Sequence, residues 1–134
     1  YLRGEPVATL RICFFAGFAK IERVCVMKHV RGGALVKLMI ETAVTLIARK
    51  GYTKAIGYIQ KRLVPFWKQL GFLPRENREG FRFSDYDYVE CERALAVRPD
   101  AITVDSDPYV VMRPEGEWDH ENVLDRSAQR PAVA

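Results

Sequence analysis

The stretch 34–50 most constrains what this chain can fold into. Leu35, Leu38, Met39, Ala43, Leu46 and Ile47 fall on one broad helical face, while Lys37, Glu41, Thr45 and Arg49 recur every four residues on the other. Lys37 and Glu41 stand one turn apart and can pair. Arg49 and Lys50 suit a last turn, and Gly51 follows as a stop. Strand-forming segments lie on both sides: 20–27 (KIERVCVM) before the helix and 54–59 (KAIGYI) after it. Strand, helix and strand in that order imply a right-handed parallel crossover. In 20–27, Glu22-Arg23 interrupts the apolar positions, as a bulge or a strand buried on both faces would.

The rest of the chain adds strands around this unit. Residues 6–15 read as a strand, and Ala16-Gly17 marks a turn into the next. A short helix is expected over 65–70, with Pro65 in its first turn and Gly71 as its stop. Residues 72–83 begin as loop and become strand. Residues 85–95 alternate Tyr86, Tyr88 and Cys91 with acids, as a strand does, although the stretch toward Ala96 also suits a helix. Residues 108–112 (PYVVM) read as a short strand. The polar, Pro-containing segment 113–134 reads as an extended or poorly ordered arm. The fold class is therefore α/β (α+β), with a mixed parallel and antiparallel sheet; the domain spans 1–112 and the arm 113–134.

Charge divides the chain. Residues 1–82 carry 16 Lys+Arg against 5 Asp+Glu, and residues 83–134 carry 5 against 12, within an overall charge of +4. A polyanionic partner suits the first part. The longest uncharged apolar run, 12–19, falls far short of the ~20 residues of a membrane span, so no membrane partner is expected. The apolar share, 49%, is too high for a disordered chain. Cys13, Cys25 and Cys91 are odd in number and form no C-x-x-C; three reduced thiols point to an intracellular, reducing compartment, cytoplasm or organelle. His29 and His120 lie far apart, and no metal is expected. The chain begins with Tyr1, which reads as a processed or truncated start.

The segment 20–72 resembles the core of the GNAT superfamily of N-acetyltransferases. KIERVCVM matches its central strand, KHVRGGALVKLMIETAVTLIARKGY its loop and long helix, KAIGYIQ the next strand, and VPFWKQLGF the short helix that ends in Gly-Phe. GEPVATLRI resembles the preceding strand. The resemblance implies acetyl-coenzyme A as acyl donor, an amine as acceptor, and a sheet that splays beside the coenzyme. The implied coenzyme-binding residues are Val24, Cys25 and Val26 on the strand, Arg31, Gly32, Gly33, Ala34, Leu35 and Val36 at the loop and helix start, and Gln60, Phe66 and Trp67 beyond. Physically, a helix N-terminus behind glycines presents unpaired N–H groups and a positive dipole end to a pyrophosphate, and Arg31 adds a fork suited to phosphate.

Two implied roles concern the chemistry. Glu22 matches the family's general base, which must take a proton from an amine of pKa ~10.4; the same side chain would equally serve as an ion pair to a neighbouring strand. Tyr58 stands in for the family's thiolate-protonating Tyr, whose place Trp67 holds, since an indole N–H is no useful acid. Ala34 and Val36 stand where the family's Arg/Gln-x-x-Gly-x-Gly/Ala pattern has Gly and Gly/Ala. The family's first strand and two helices have no counterpart here, so a protein partner or a second copy is expected to complete the acceptor side. These departures also suit a second reading, a catalytically degenerate GNAT-fold subunit of a larger, ribonucleoprotein-like assembly. A free-standing nucleic-acid binder lacks any motif and has only scattered basic residues.

Overall fold

The structure, a computed structural model, describes residues 1–128. Five of its strands follow the path β1 (Ala8–Phe15), β2 (Phe18–Val26), β3 (Lys54–Gln60), β6 (Tyr86–Ala94) and β4 (Leu73–Pro74), and β5 (Phe81–Phe83) also pairs with β6. The β2–β3 pair is parallel and every other pair antiparallel, which makes the mixed sheet expected around a parallel crossover. The crossover is made by helix α1 (Gly33–Arg49), and a short helix α2 (Val64–Gln69) follows β3.

Helix α1 buries Ile40, Ala43, Val44, Ile47 and Ala48. This i, i+3, i+4, i+7 stripe packs on Ala19, Ile21, Ala55 and Ile59 of the sheet. The observed face is rotated from the expected one: Leu38 is 65% exposed, and Ile40 is fully enclosed. Nor does Glu41 turn to Lys37 for its hydrogen bonds. It lies toward the sheet and accepts two, of 2.8 and 3.0 Å, from Arg93 of β6. Trp67 of α2, edge-on to Phe72 at 5.2 Å, closes the core beneath β3 and β6. Gly71 ends α2 at φ +79°, where a Cβ would press on Arg93 at 3.3 Å.

The ambiguous stretch 85–95 is strand β6, held between β3 on one side and β4 and β5 on the other. The expected strand at 108–112 is instead helix α3 (Pro108–Met112): the Asp107 carboxylate accepts from the Tyr109 N–H at 2.8 Å, and Pro108 fits the first turn. Asp-Pro was the local signal that its apolar residues masked. The expected arm is packed over its described part. Residues 113–128 fold back and include a short helix α4 (Val123–Ala128); Trp118 is buried, and Arg113 pairs with Asp125 at 2.9 Å. Residues 129–134 of that arm lie outside the described residues.

Candidate functional site

Strands β2 and β3 pair at Ala19↔Ala55 and Lys20↔Ile56. No further pair joins them among the described residues, although β2 runs on to Val26 and β3 to Gln60. The cause is visible in β2. Between Thr9↔Cys25 and Arg11↔Glu22 the β1–β2 register shifts, with one extra residue on β2, and Arg23 sits there in the left-handed region at φ +52°. This bulge is the interruption the sequence carries at Glu22-Arg23. It bends β2 away from β3 and opens a wedge.

A cavity of about 610 Å³ fills the wedge. Ten of the residues expected at the site line it: Glu22, Val24, Cys25, Val26, Arg31, Val36, Tyr58, Gln60, Phe66 and Trp67. Gly32, Gly33, Ala34 and Leu35 do not; they form the cap and first turn of α1, between the lining residues Arg31 and Val36. Ile21, Arg23, Ile59, Arg62, Leu63 and Tyr88 also line the cavity and were not expected there. Arg62 had a local signal, since a Lys-Arg pair follows the strand that carries Gln60. Tyr88 had none, because only the long-range register Gln60↔Tyr88 brings it to the site.

The start of α1 is open. Its N-cap, Gly32, makes no side-chain cap bond, and no acid lies in the first turn. The terminal N–H groups and the positive dipole end therefore meet no anion from the helix itself. A Cβ on Gly32 would meet no atom within 4 Å, and one on Gly33 only Phe66 at 3.9 Å. Gly32 is extended at φ −175°, so its backbone does not demand glycine; the open space beside it is the feature to explain. Arg23, Arg31 and Arg62 bring three cations to the cavity, none in an ion pair among the described residues. Arg31 instead donates to the Val26 carbonyl at 3.2 Å, and Arg62 to the Gln60 side-chain oxygen at 3.0 Å, which fixes both guanidinium groups at the wedge.

Val36 packs partly against the core. Trp67, 8% exposed, is mainly a core side chain that shows one part to the cavity.

Glu22 is the one carboxylate lining the cavity among the described residues. It is paired with Arg11 across the strand and with Lys20 Nζ at 2.7 Å, and Cys13 Sγ lies 3.6 Å away. Hydrogen bonding from Lys20, then from Arg11, pulls its carboxyl down to about 2 from an ordinary 4.5. It thus occupies the strand ion pair, and a carboxylate held so acidic is a weak proton acceptor. Tyr58 is 46% exposed. Its ring is edge-on to Phe81 at 5.3 Å, and Phe81 stacks on Tyr88 at 5.6 Å. No three His, Cys, Asp or Glu side chains gather for a metal among the described residues, and no described helix is long and apolar enough to cross a membrane.

No protein-family model matches the sequence. The structure is similar to solved ones. An acyl-CoA N-acyltransferase of Pseudomonas aeruginosa superposes with a TM-score of 0.63 at 23% identity, over 70% of this chain and 64% of that one. The ribosomal-protein-S18-alanine N-acetyltransferase of Escherichia coli gives 0.62 at 12% identity, over 77% and 70%. A GNAT family acetyltransferase of Elizabethkingia anophelis, solved with acetyl-CoA bound, gives 0.59 at 10%, over 71% and 72%. The chain spans about two thirds of the length of such structures.

Proposed function

We propose that this chain, which has the fold of the GNAT N-acetyltransferases, transfers an acetyl group from acetyl-coenzyme A to an amine. The observation that carries this reading is the wedge: β2 parts from β3 directly beside an uncapped helix N-terminus, with Arg31 at the junction. A chain with no anion to hold has little use for unanswered N–H groups, unpaired arginines and open space at one point.

The residues present fit the coenzyme. The first turn of α1, from Gly32 to Leu35, and Arg31 would hold its pyrophosphate, with Val36 lining the cavity beside them. The β3-facing edge of Val24, Cys25 and Val26 lacks a strand partner and would receive the pantetheine arm. Gln60, Phe66 and Trp67 would form the opposite wall. When bound, the coenzyme supplies the thioester that carries the acetyl group. The acceptor nitrogen attacks the acyl carbon directly, and the β2 edge offers N–H groups to the charge that develops on the carbonyl oxygen. Tyr58, which lines the cavity as Tyr88 does, carries an O–H of the kind that the departing sulfur needs.

Isothermal titration of the full chain with acetyl-CoA tests the reading. Micromolar binding is expected, and Arg31→Ala should weaken it about tenfold, or ~1.4 kcal/mol. No heat at millimolar acetyl-CoA would overturn it.

A further inference from the structure

The acceptor side of the wedge differs in kind from the coenzyme side. Glu22 is faced by Arg11 and Cys13 from β1 and by Lys20 from its own strand. From β3 the Tyr58 ring lies under the Lys20 ammonium, 5.6 Å from Nζ to the ring centre. Two cations thus surround one carboxylate, and the local charge is positive. No histidine and no second carboxylate lines the cavity among the described residues. Tyr58 and Tyr88 line the cavity, and Phe81 joins them, edge-on to Tyr58 and stacked on Tyr88, with Tyr58 and Phe81 46% and 38% exposed.

From this juxtaposition we infer that the acceptor is an aromatic amine whose nitrogen is uncharged when it enters the cavity. The inference rests on the proposed acetyl transfer and deepens it. An alkylammonium ion would enter past Arg23, Arg31 and Arg62, which line the cavity, and meet a Glu22 already held by Arg11 and Lys20; it would move against like charge and find no free base to take its proton. Glu22, held at about 2, leaves such an ion protonated. An arylamine shares its lone pair with its ring, stays neutral at pH 7, and needs no deprotonation before attack. The exposed parts of Tyr58 and Phe81 suit a flat, apolar partner.

The step balances without a base. The neutral nitrogen forms a bond to the acyl carbon, and the carbon–sulfur bond breaks with its electron pair on sulfur. One proton leaves the now acidic nitrogen and ends on the thiolate, giving the N-aryl acetamide and free coenzyme A.

The isomers p-toluidine and benzylamine separate the cases, because they share formula and size and differ in whether the nitrogen is joined to the ring. Release of coenzyme A thiol is followed with each amine, and acetyl-CoA binding is measured separately by titration. At pH 7, kcat/KM for p-toluidine should exceed that for benzylamine at least tenfold. It should be flat from pH 6 to 8.5, while the benzylamine value rises about tenfold per pH unit with its free-base fraction. The double variant Arg11→Met/Lys20→Met, which frees Glu22, should narrow the ratio at least tenfold. The inference is overturned if benzylamine equals or beats p-toluidine at pH 7, if neither amine is acetylated although acetyl-CoA binds, or if the double variant leaves the ratio unchanged. Failure of acetyl-CoA to bind overturns the proposed function instead.

Discussion

At its C-terminal end, α1 is closed by its own chain. The Tyr52 N–H donates to the Ile47 carbonyl and the Ile102 N–H to that of Arg49. Arg49 pairs with Asp100 and Asp119 at 2.8 and 2.6 Å, and Lys50 pairs with Glu115. At its N-terminal end the same helix has no side-chain cap and no acid in its first turn. One end thus draws acids from the last third of the chain, and the other draws none. The charge division of the sequence has the same geography. The acidic segment after residue 83 is partly spent on the basic end of α1, and the cavity's Arg23, Arg31 and Arg62 form no ion pair among the described residues. A helix end that is open while its twin is so fully answered is in keeping with the anion site proposed there.

Variants at the two ends should break in different ways. The largest effect is expected at the closed end. Trp118→Ala removes a buried ring from the segment that folds over Lys50, and should cost about 3 kcal/mol by denaturant unfolding. Acetyl-CoA affinity should stay within twofold, since the two ends do not touch. A tenfold loss of affinity would show that the ends are coupled and that the comparison is too simple.

A smaller effect is expected at the wedge wall. The Glu22 carboxyl titrates near 2 when folded and near 4.5 when free. A lowered folded value means that its pairing stabilises the protein fully above the free value and fades as pH falls from about 5 toward 2. Glu22→Gln should therefore cost on the order of 1 kcal/mol at neutral pH. The stability gap between wild type and variant should shrink steadily as pH falls from 5 toward 2; curves that stay parallel across that range would refute the ion pair.

Much of this was legible in the sequence, for local reasons. The Glu22-Arg23 break in the apolar pattern of β2 marked the bulge, and the bulge makes the wedge. Gly51 and Gly71 marked helix ends because each needs a positive φ. Other features depended on distant partners. The buried face of α1 is chosen by which sheet residues lie beneath it, so Ile40 replaced Leu38 in the core. Of the two cations on Glu22, Lys20 is a neighbour on its own strand, but Arg11 follows from the β1–β2 register, which sets it opposite; sequence spacing alone left base and ion pair equally open. Helix α3 was hidden by β-favouring apolar residues that Asp107 and Pro108 overrule. The folding of residues 113–128 onto α1 needed charge pairing across more than sixty positions, such as Lys50 with Glu115.

The smallest stability change carries the sharpest test. Asp fits at position 32 without strain, because Gly32 is extended and a Cβ there meets nothing within 4 Å. As an N-cap and a negative charge at the dipole's positive end, it should stabilise the fold by about 0.5 kcal/mol. The same carboxylate would occupy the place proposed for the coenzyme's phosphates. Titration of wild type and Gly32→Asp with acetyl-CoA should therefore show at least a tenfold loss of affinity in a protein that is slightly more stable. Equal affinity in the two proteins would contradict the claim that the open end of α1 is an acyl-coenzyme site.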